Sequence, residues 1–142
     1  MSSKAESRLI YASISASQRV NSLGVKGALL FTWMVTHCDS QGRINGNPVF
    51  LKATVFPLME EIGISEIEDS IEMMEEQKLV IKYTDSKQRT LIQIADWWDW
   101  QRGLKYKAPS RFEPPPGWQD HVTSRDENGR FITEKEEEYA YR

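Results

Sequence analysis

The apolar residues change after Lys78 from helical spacing to strict alternation, and this change constrains the fold more than any other feature. The preceding segment predicts a helix over 66–77, whose apolar positions recur every three to four residues. Residues 79–94 read as two alternating strands around a polar turn, which predicts a β-hairpin. The apolar positions of the helix are Ile67, Ile71 and Met74. A helix leading directly into a hairpin favours an α+β fold.

The sequence predicts a long helix near the N-terminus and leaves the segment before it unassigned. An apolar stripe at four-residue steps predicts a helix over 25–38 and places Trp33 in the core. The stripe consists of Val25, Leu29, Trp33 and His37, with Leu30 and Met34 beside them. Residues 9–22 alternate apolar and small residues, so an extended arm and a frayed strand both stay open.

Capping signals mark where the next two helices begin. Asn47 before Pro48 predicts an N-cap and a helix over 49–56, because proline at the first helical position loses no hydrogen bond. A short strand over 43–45 is predicted before it. Ser65 and Glu68 match a capping box at the start of the 66–77 helix.

The resulting order is helix, short strand, helix, helix, hairpin, which is that of a winged helix-turn-helix. We therefore predict an α+β winged helix, with three helices and a β-hairpin wing, and an N-terminal arm, over residues 1–107. Residues 108–142 contain a proline run and charged stretches, and they predict an extended C-terminal tail that docks or folds on a partner.

Charge is strongly segregated along the chain although the formal net charge is only −3. Residues 58–77 hold eight acidic residues and no lysine or arginine, whereas residues 78–111 hold eight basic and three acidic residues. Partners must therefore be inferred segment by segment.

The basic segment covers the predicted wing and the residues after it, with aromatic residues interleaved. Basic side chains neutralise phosphates and aromatic rings stack on nucleobases, so this strip predicts binding of single- or double-stranded DNA, largely through the backbone. An ordinary solvated basic surface is the alternative. The candidate DNA-binding residues are Lys82, Lys87, Arg89, Trp98, Arg102, Lys105, Lys107 and Arg111.

The 66–77 helix stands where a winged helix reads DNA, yet its outward positions are acidic and repel phosphates. Three interpretations stay open: a solvated face, an acidic surface that docks a protein, and insertion into a DNA groove. The candidate protein-binding residues are Glu68, Glu72, Glu75 and Glu76.

The tryptophans after the hairpin cannot all face one way. Trp97, Trp100 and Leu104 share a helical face and predict core or subunit interface, while Trp98 points elsewhere and is predicted to be the exposed one.

Catalytic and metal chemistry are not predicted. His37, Cys38 and Asp39 are adjacent and point in different directions, and no second cluster completes a tetrahedral metal site. The sequence has no glycine-rich phosphate loop and no nucleophile elbow, so we expect no enzyme and no cofactor. A single cysteine fits a reducing compartment, and no apolar run approaches membrane-spanning length.

A set of short motifs in a fixed order resembles the DnaD-like winged-helix proteins encoded by phages of Gram-positive bacteria. The set runs over more than half the chain. Its members are Leu-Gly-x-x-Gly-x-Leu-x-Phe at Leu23 to Phe31, Asp-x-x-Gly-Arg at Asp39 to Arg43, Gly46-Asn47-Pro48, Phe56-Pro57, and Trp97 with Gln101.

The resemblance implies a role in starting phage DNA replication, as a replisome organiser that binds origin DNA or brings a host helicase loader to it. It also implies self-association into a homo-oligomer, contacts with replication or host proteins, and a location in the cytoplasm of the bacterial host. The alternative is an adaptor or inhibitor that binds a host protein through the acidic helix and the tail. A transcriptional regulator is a third, weaker hypothesis.

Overall fold

The computed structural model of the chain describes residues 7–103 and 106–130. The fold is α+β, as predicted, with helices packed on one face of a three-stranded antiparallel sheet. The elements are a 3-10 helix (Ala12–Ala16), α1 (Gln18–Asn21), α2 (Gly24–His37), β1 (Arg43–Asn45), α3 (Pro48–Val55), α4 (Ile64–Glu76), β2 (Val80–Thr84), β3 (Thr90–Ile94) and α5 (Trp97–Trp100). From α2 to β3 this is the predicted order.

The start of α3 confirms the local signal in the sequence. The Asn47 side chain accepts a hydrogen bond from the backbone N–H of Val49 at 2.9 Å, and Pro48 occupies the first helical position. The cap satisfies a donor that has no partner within the helix.

The sheet has the order β1-β3-β2, so β3 is central. Arg43 and Ile81 both lie opposite Gln93, and Ile44 and Lys82 both lie opposite Ile92. Since side chains alternate across a strand, Arg43 and Gln93 share one face of the sheet and Ile44 and Ile92 share the other. We call the face with Arg43 and Gln93 the outer face.

The main core lies between α2, α3, α4 and the inner face of the sheet. Trp97 of α5 closes one side of it, and its indole N–H donates to the Ser40 carbonyl at 2.8 Å. The most deeply buried apolar side chains are Leu30, Met34, Leu51, Phe56, Ile67, Met74, Ile92 and Trp97.

The N-terminal segment is neither an extended arm nor a strand. Its residues form the 3-10 helix and α1, because the Ser17 hydroxyl accepts from the N–H of Val20 at 3.2 Å and starts a turn. Val20 and Leu23 are then buried.

The predicted buried stripe of α2 was right for Leu30 and Met34 and wrong for Val25 and Trp33. The buried face carries Leu30, Met34 and their neighbours, whereas Val25 is 88% exposed and Trp33 is 38% exposed. Gly27 lies on the buried side, where an added Cβ would lie 2.8 Å from the Leu23 Cβ and 3.4 Å from the Ser70 hydroxyl oxygen, so glycine leaves room for Leu23 to pack there.

The predicted capping box was also displaced. Helix α4 begins at Ile64, so Ser65 already lies in the first turn and does not occupy the cap position. The Glu66 carboxylate instead accepts from the backbone N–H of Gly63 at 3.1 Å.

Candidate nucleic-acid interface

Residues 107–123, which we call the strap, form a loop whose two ends meet. The backbone N–H of Thr123 donates to the Lys107 carbonyl at 2.9 Å, and the Lys107 N–H donates to the Thr123 hydroxyl at 2.6 Å. The buried Gln41 amide ties both ends to the domain by donating to the carbonyls of Ala108 and His121, each at 2.7 Å. The strap is therefore anchored at its root beside β1.

A buried arginine on the outer face of the sheet holds the middle of the strap. The Arg43 side chain is 0% exposed and donates to the Gln93 amide oxygen at 2.8 Å and to the Phe112 carbonyl at 3.1 Å. Its guanidinium also binds both carboxylate oxygens of Asp120, whose side chain is 28% exposed. Leu91 on the same face is fully buried. The strap thus covers a face that the sequence pattern leaves open to solvent.

The hairpin turn, residues 85–89, is organised by one buried carboxylate. Asp85 accepts from the backbone N–H groups of Lys87 and Arg89 at 3.0 and 2.8 Å, and from the Arg89 guanidinium at 2.8 Å. Burial opposes ionisation, but these hydrogen bonds outweigh it and lower the pKa of Asp85. The turn is held rigidly with Lys87 exposed.

The bend of the strap lies against this turn. The Glu113 carboxylate accepts from both the backbone N–H, at 2.7 Å, and the hydroxyl of Ser86, and the Tyr83 hydroxyl donates to the Glu113 carbonyl at 2.5 Å. The Arg89 guanidinium lies 5.3 Å from the Phe112 ring centroid, within cation–π distance. The hydrogen bonds from Ser86 lower the pKa of Glu113, and burial raises the pKa of Tyr83 to about 12.

The structure divides the predicted DNA-binding strip into two groups. Lys87 and Arg89 lie in the hairpin turn, and Arg111 is exposed in the strap next to Phe112, whose ring centroid lies 5.3 Å from the Arg89 guanidinium. The residues that follow the hairpin lie beyond its other end, and strands of five residues, about 17 Å long, separate the two ends. Lys82 lies within β2, with its ammonium 3.9 Å from a carboxylate oxygen of Glu75.

The second group is largely engaged within the fold. The Trp98 ring is half-buried, with the His121 ring at 5.1 Å and the Lys107 ammonium 5.8 Å from its centroid. The expectation that Trp98 is the exposed tryptophan was wrong, because the root of the strap covers it and Trp100 is 43% exposed instead. Lys107 is buried and Arg102 is exposed. The predicted residues Leu104 and Lys105 lie outside the described residues.

The acidic positions of α4 point away from the core. The Glu75 carboxylate lies 3.9 Å from the Lys82 ammonium, and the carboxylate of Glu66, in the first turn of the helix, lies 3.7 Å from the Lys26 ammonium. The exposed carboxylates of the helix are Glu68, Asp69, Glu72, Glu75 and Glu76. A solvated face and a protein-docking face both fit this arrangement.

Metal-binding and membrane-spanning features are absent from the described ranges. In residues 7–103 and 106–130, no group of three histidine, cysteine or acidic side chains is placed to hold a metal ion. No helix in the same ranges is long and apolar enough to cross a membrane. His37 is exposed, while Cys38 beside it is buried.

The Cys38 thiol is expected to resist modification in the folded protein. Burial, and then the neighbouring Asp39 carboxylate, raise the pKa of the thiol, so the reactive thiolate is scarce. A thiol reagent such as Ellman's reagent should react roughly 100-fold more slowly with native than with urea-unfolded protein, since local opening must come first. Equal rates would contradict the packing at the end of α2.

Compared with protein-family models, curated proteins and solved structures, the chain matches none. The resemblance to DnaD-like proteins therefore stays a prediction from its motifs. Two of those motifs are in contact: Trp97 donates to Ser40, and a Cβ on Gly42 would lie 2.6 Å from the Trp97 ring. Gln101 binds the backbone of Leu9 through both atoms of its amide, at 3.0 and 2.9 Å.

Proposed function

We propose that the chain is a winged-helix module that binds the phosphate backbone of DNA without catalysis, in the initiation of phage-type DNA replication. The order of elements and the β1-β3-β2 sheet support the winged helix, with the β2–β3 hairpin as its wing. The observation that carries the proposal is the pair of basic side chains in the hairpin turn, Lys87 and Arg89, with the exposed Arg111 in the strap that lies against the turn.

Because the exposed face of α4 is acidic, we propose that DNA binds at the wing and not at α4. In the winged helix that we propose, α4 would be the recognition helix, but its exposed carboxylates repel a phosphate backbone. Contacts through Lys87 and Arg111 require no base edges, so we propose binding with little sequence discrimination.

Replication initiation, partners and self-association rest on the DnaD-like resemblance. Outward-facing apolar side chains on and after α3 support self-association or contact with a replication protein, since they stand where no other described element covers them. Val49 is 61% exposed, Phe50 is 41% exposed and Leu58 is 93% exposed. We place this activity in the cytoplasm of a bacterial host.

Removing one exposed basic side chain of the wing and one of the strap is expected to weaken DNA binding. The double variant Lys87→Gln/Arg111→Gln should bind labelled DNA roughly 10-fold more weakly at about 50 mM salt, because each lost phosphate contact lowers the affinity. Fluorescence anisotropy measures this directly.

The matched control removes two exposed positive charges that lie outside the hairpin turn and the strap, as Lys26→Gln/Lys78→Gln. This control should bind DNA within about 2-fold of the unchanged protein, since neither side chain is at the turn. Equal losses in both double variants would assign binding to net charge and contradict the wing as the site.

An adaptor that binds a host protein is the second candidate, and the exposed carboxylates of α4 favour it. The two functions separate experimentally. An adaptor would bind no DNA at low salt, and reversing Glu68, Glu72 and Glu75 to lysine would abolish capture of its partner.

A further inference from the structure

The Glu113 carboxylate occupies a set of donors that suits any oxyanion. Its two oxygens are bound by the backbone N–H and the hydroxyl of Ser86, and basic side chains flank the same turn. A phosphodiester presents two oxygens with similar acceptor geometry, and turns with free N–H groups are common anion sites.

We propose that the hairpin turn is a phosphate site and that Glu113 of the strap occupies it in the absence of nucleic acid. The ligand is a backbone phosphate of DNA, which takes the place of the carboxylate on Ser86. Glu113 therefore acts as a built-in competitor and lowers the affinity of the wing for DNA. This inference rests on the proposed DNA-binding function.

The charges facing the site favour an anion more strongly once Glu113 leaves. The basic groups are Lys87 and Arg89 of the turn and Arg111, two residues before Glu113 in the strap, and the acidic groups are Asp85 and Glu113. Asp85 is buried, accepts a hydrogen bond from the turn backbone and is ion-paired with Arg89. The formal charge of this group rises from +1 to +2 when Glu113 is removed.

The exchange requires only the Glu113 side chain to move. The preceding residue is fixed, because the Phe112 carbonyl accepts from the buried Arg43, and Pro115 two residues later is buried. Glu113 and Ser86 are both exposed, so the carboxylate can rotate into solvent about its own side-chain bonds. The strap stays docked while the site opens.

The test compares Glu113→Gln with Glu127→Gln, which removes an equally exposed carboxylate outside the strap. Anisotropy with labelled DNA should show affinity raised roughly 5-fold or more by Glu113→Gln and changed by less than about 2-fold by Glu127→Gln. Adding Ser86→Ala to Glu113→Gln should remove most of the gain. Equal gains from Glu113→Gln and Glu127→Gln would overturn the proposal while DNA binding itself stands.

A second measurement decides the matter even if no variant binds DNA. Inorganic phosphate is titrated into isotope-labelled protein, and the backbone amide signal of Ser86 is followed by NMR. We expect the signal to shift in Glu113→Gln at phosphate concentrations that leave it unmoved in the unchanged protein. An unmoved Ser86 signal in Glu113→Gln would overturn the phosphate site, whereas absent DNA binding with a shifted signal would overturn only the DNA function.

Discussion

Replacing Asp120 with alanine is expected to destabilise the protein by about 3 kcal/mol, because it leaves the buried Arg43 guanidinium without its counter-charge. The remaining acceptors, the Gln93 amide oxygen and the Phe112 carbonyl, do not neutralise the charge. Asp120 is itself 28% exposed, which keeps the expected loss at the low end for a buried ion pair. Urea unfolding followed by tryptophan fluorescence measures the change.

Two further variants separate the ion pair from the loss of volume. Arg43→Met/Asp120→Leu replaces both charges with apolar side chains and should recover more than half of the loss, since neither charge is then stranded. Glu127→Ala removes an exposed carboxylate and should change stability by no more than about 0.5 kcal/mol. An Asp120→Ala variant as stable as Glu127→Ala would show that the strap is not held by Arg43.

Gly42→Ala is expected to cost about 3 kcal/mol, from two separate terms. Gly42 has φ +83°, where a side chain costs about 1–2 kcal/mol. The new Cβ would also lie 2.6 Å from the buried Trp97 ring and 2.9 Å from the Gln93 amide nitrogen, and such overpacking costs about 1–3 kcal/mol.

Gly117→Ala is the matched control for that substitution. Gly117 has φ +80°, and its added Cβ would meet nothing within 4 Å, so only the backbone term of about 1–2 kcal/mol applies. Thermal or urea unfolding should therefore rank Gly42→Ala well below Gly117→Ala. Equal stabilities would contradict the close approach of the 39–42 turn to Trp97.

Local signals in the sequence were sufficient for most of the elements. The helix start at Asn47 and Pro48 depends only on the residues next to it, because Asn47 caps the N–H of Val49. The alternation of residues 79–94 is likewise a property of neighbouring positions. The fold class and the order of elements followed from such signals. These signals can be recognised without knowing which elements pack against each other.

The orientation of α2 could not be read in the same way. Apolar residues occur on most sides of this helix, so several stripes compete, and only packing against α4 selects one. Gly27 was the available clue, because a residue without a side chain within an apolar helix marks close contact. The prediction followed Val25 and Trp33 instead.

The docking of the strap on the sheet could not be predicted from hydrophobic pattern or residue spacing. Its residues have no helical or strand period, and Asp120 reaches Arg43 across 77 positions of sequence. Nothing in the neighbouring sequence shows that Gln41, Arg43 and Gln93 are buried. Polar residues in a turn or on an open face of a sheet are usually exposed to solvent. The contact between Glu113 and Ser86 was missed for the same reason.

The position of the strap changes the interpretation of the basic strip as a DNA-binding surface. The sequence suggested one continuous surface from Lys82 to Arg111. In the structure, Lys107 packs on Trp98 near the root of the strap, and Phe112, the neighbour of Arg111, lies against Arg89 of the hairpin turn. The remaining interface is smaller, is centred on the turn and is regulated by Glu113 in our proposal.

The most direct test of the account is the salt dependence of DNA binding by the unchanged protein. Fluorescence anisotropy with labelled single- and double-stranded DNA is measured at about 50 and 200 mM salt. Two or three phosphate contacts at the hairpin turn predict affinity that falls roughly 10- to 40-fold between these conditions. No binding at the lower salt concentration, or binding that salt leaves unchanged, would contradict the proposal that this chain holds nucleic-acid backbone.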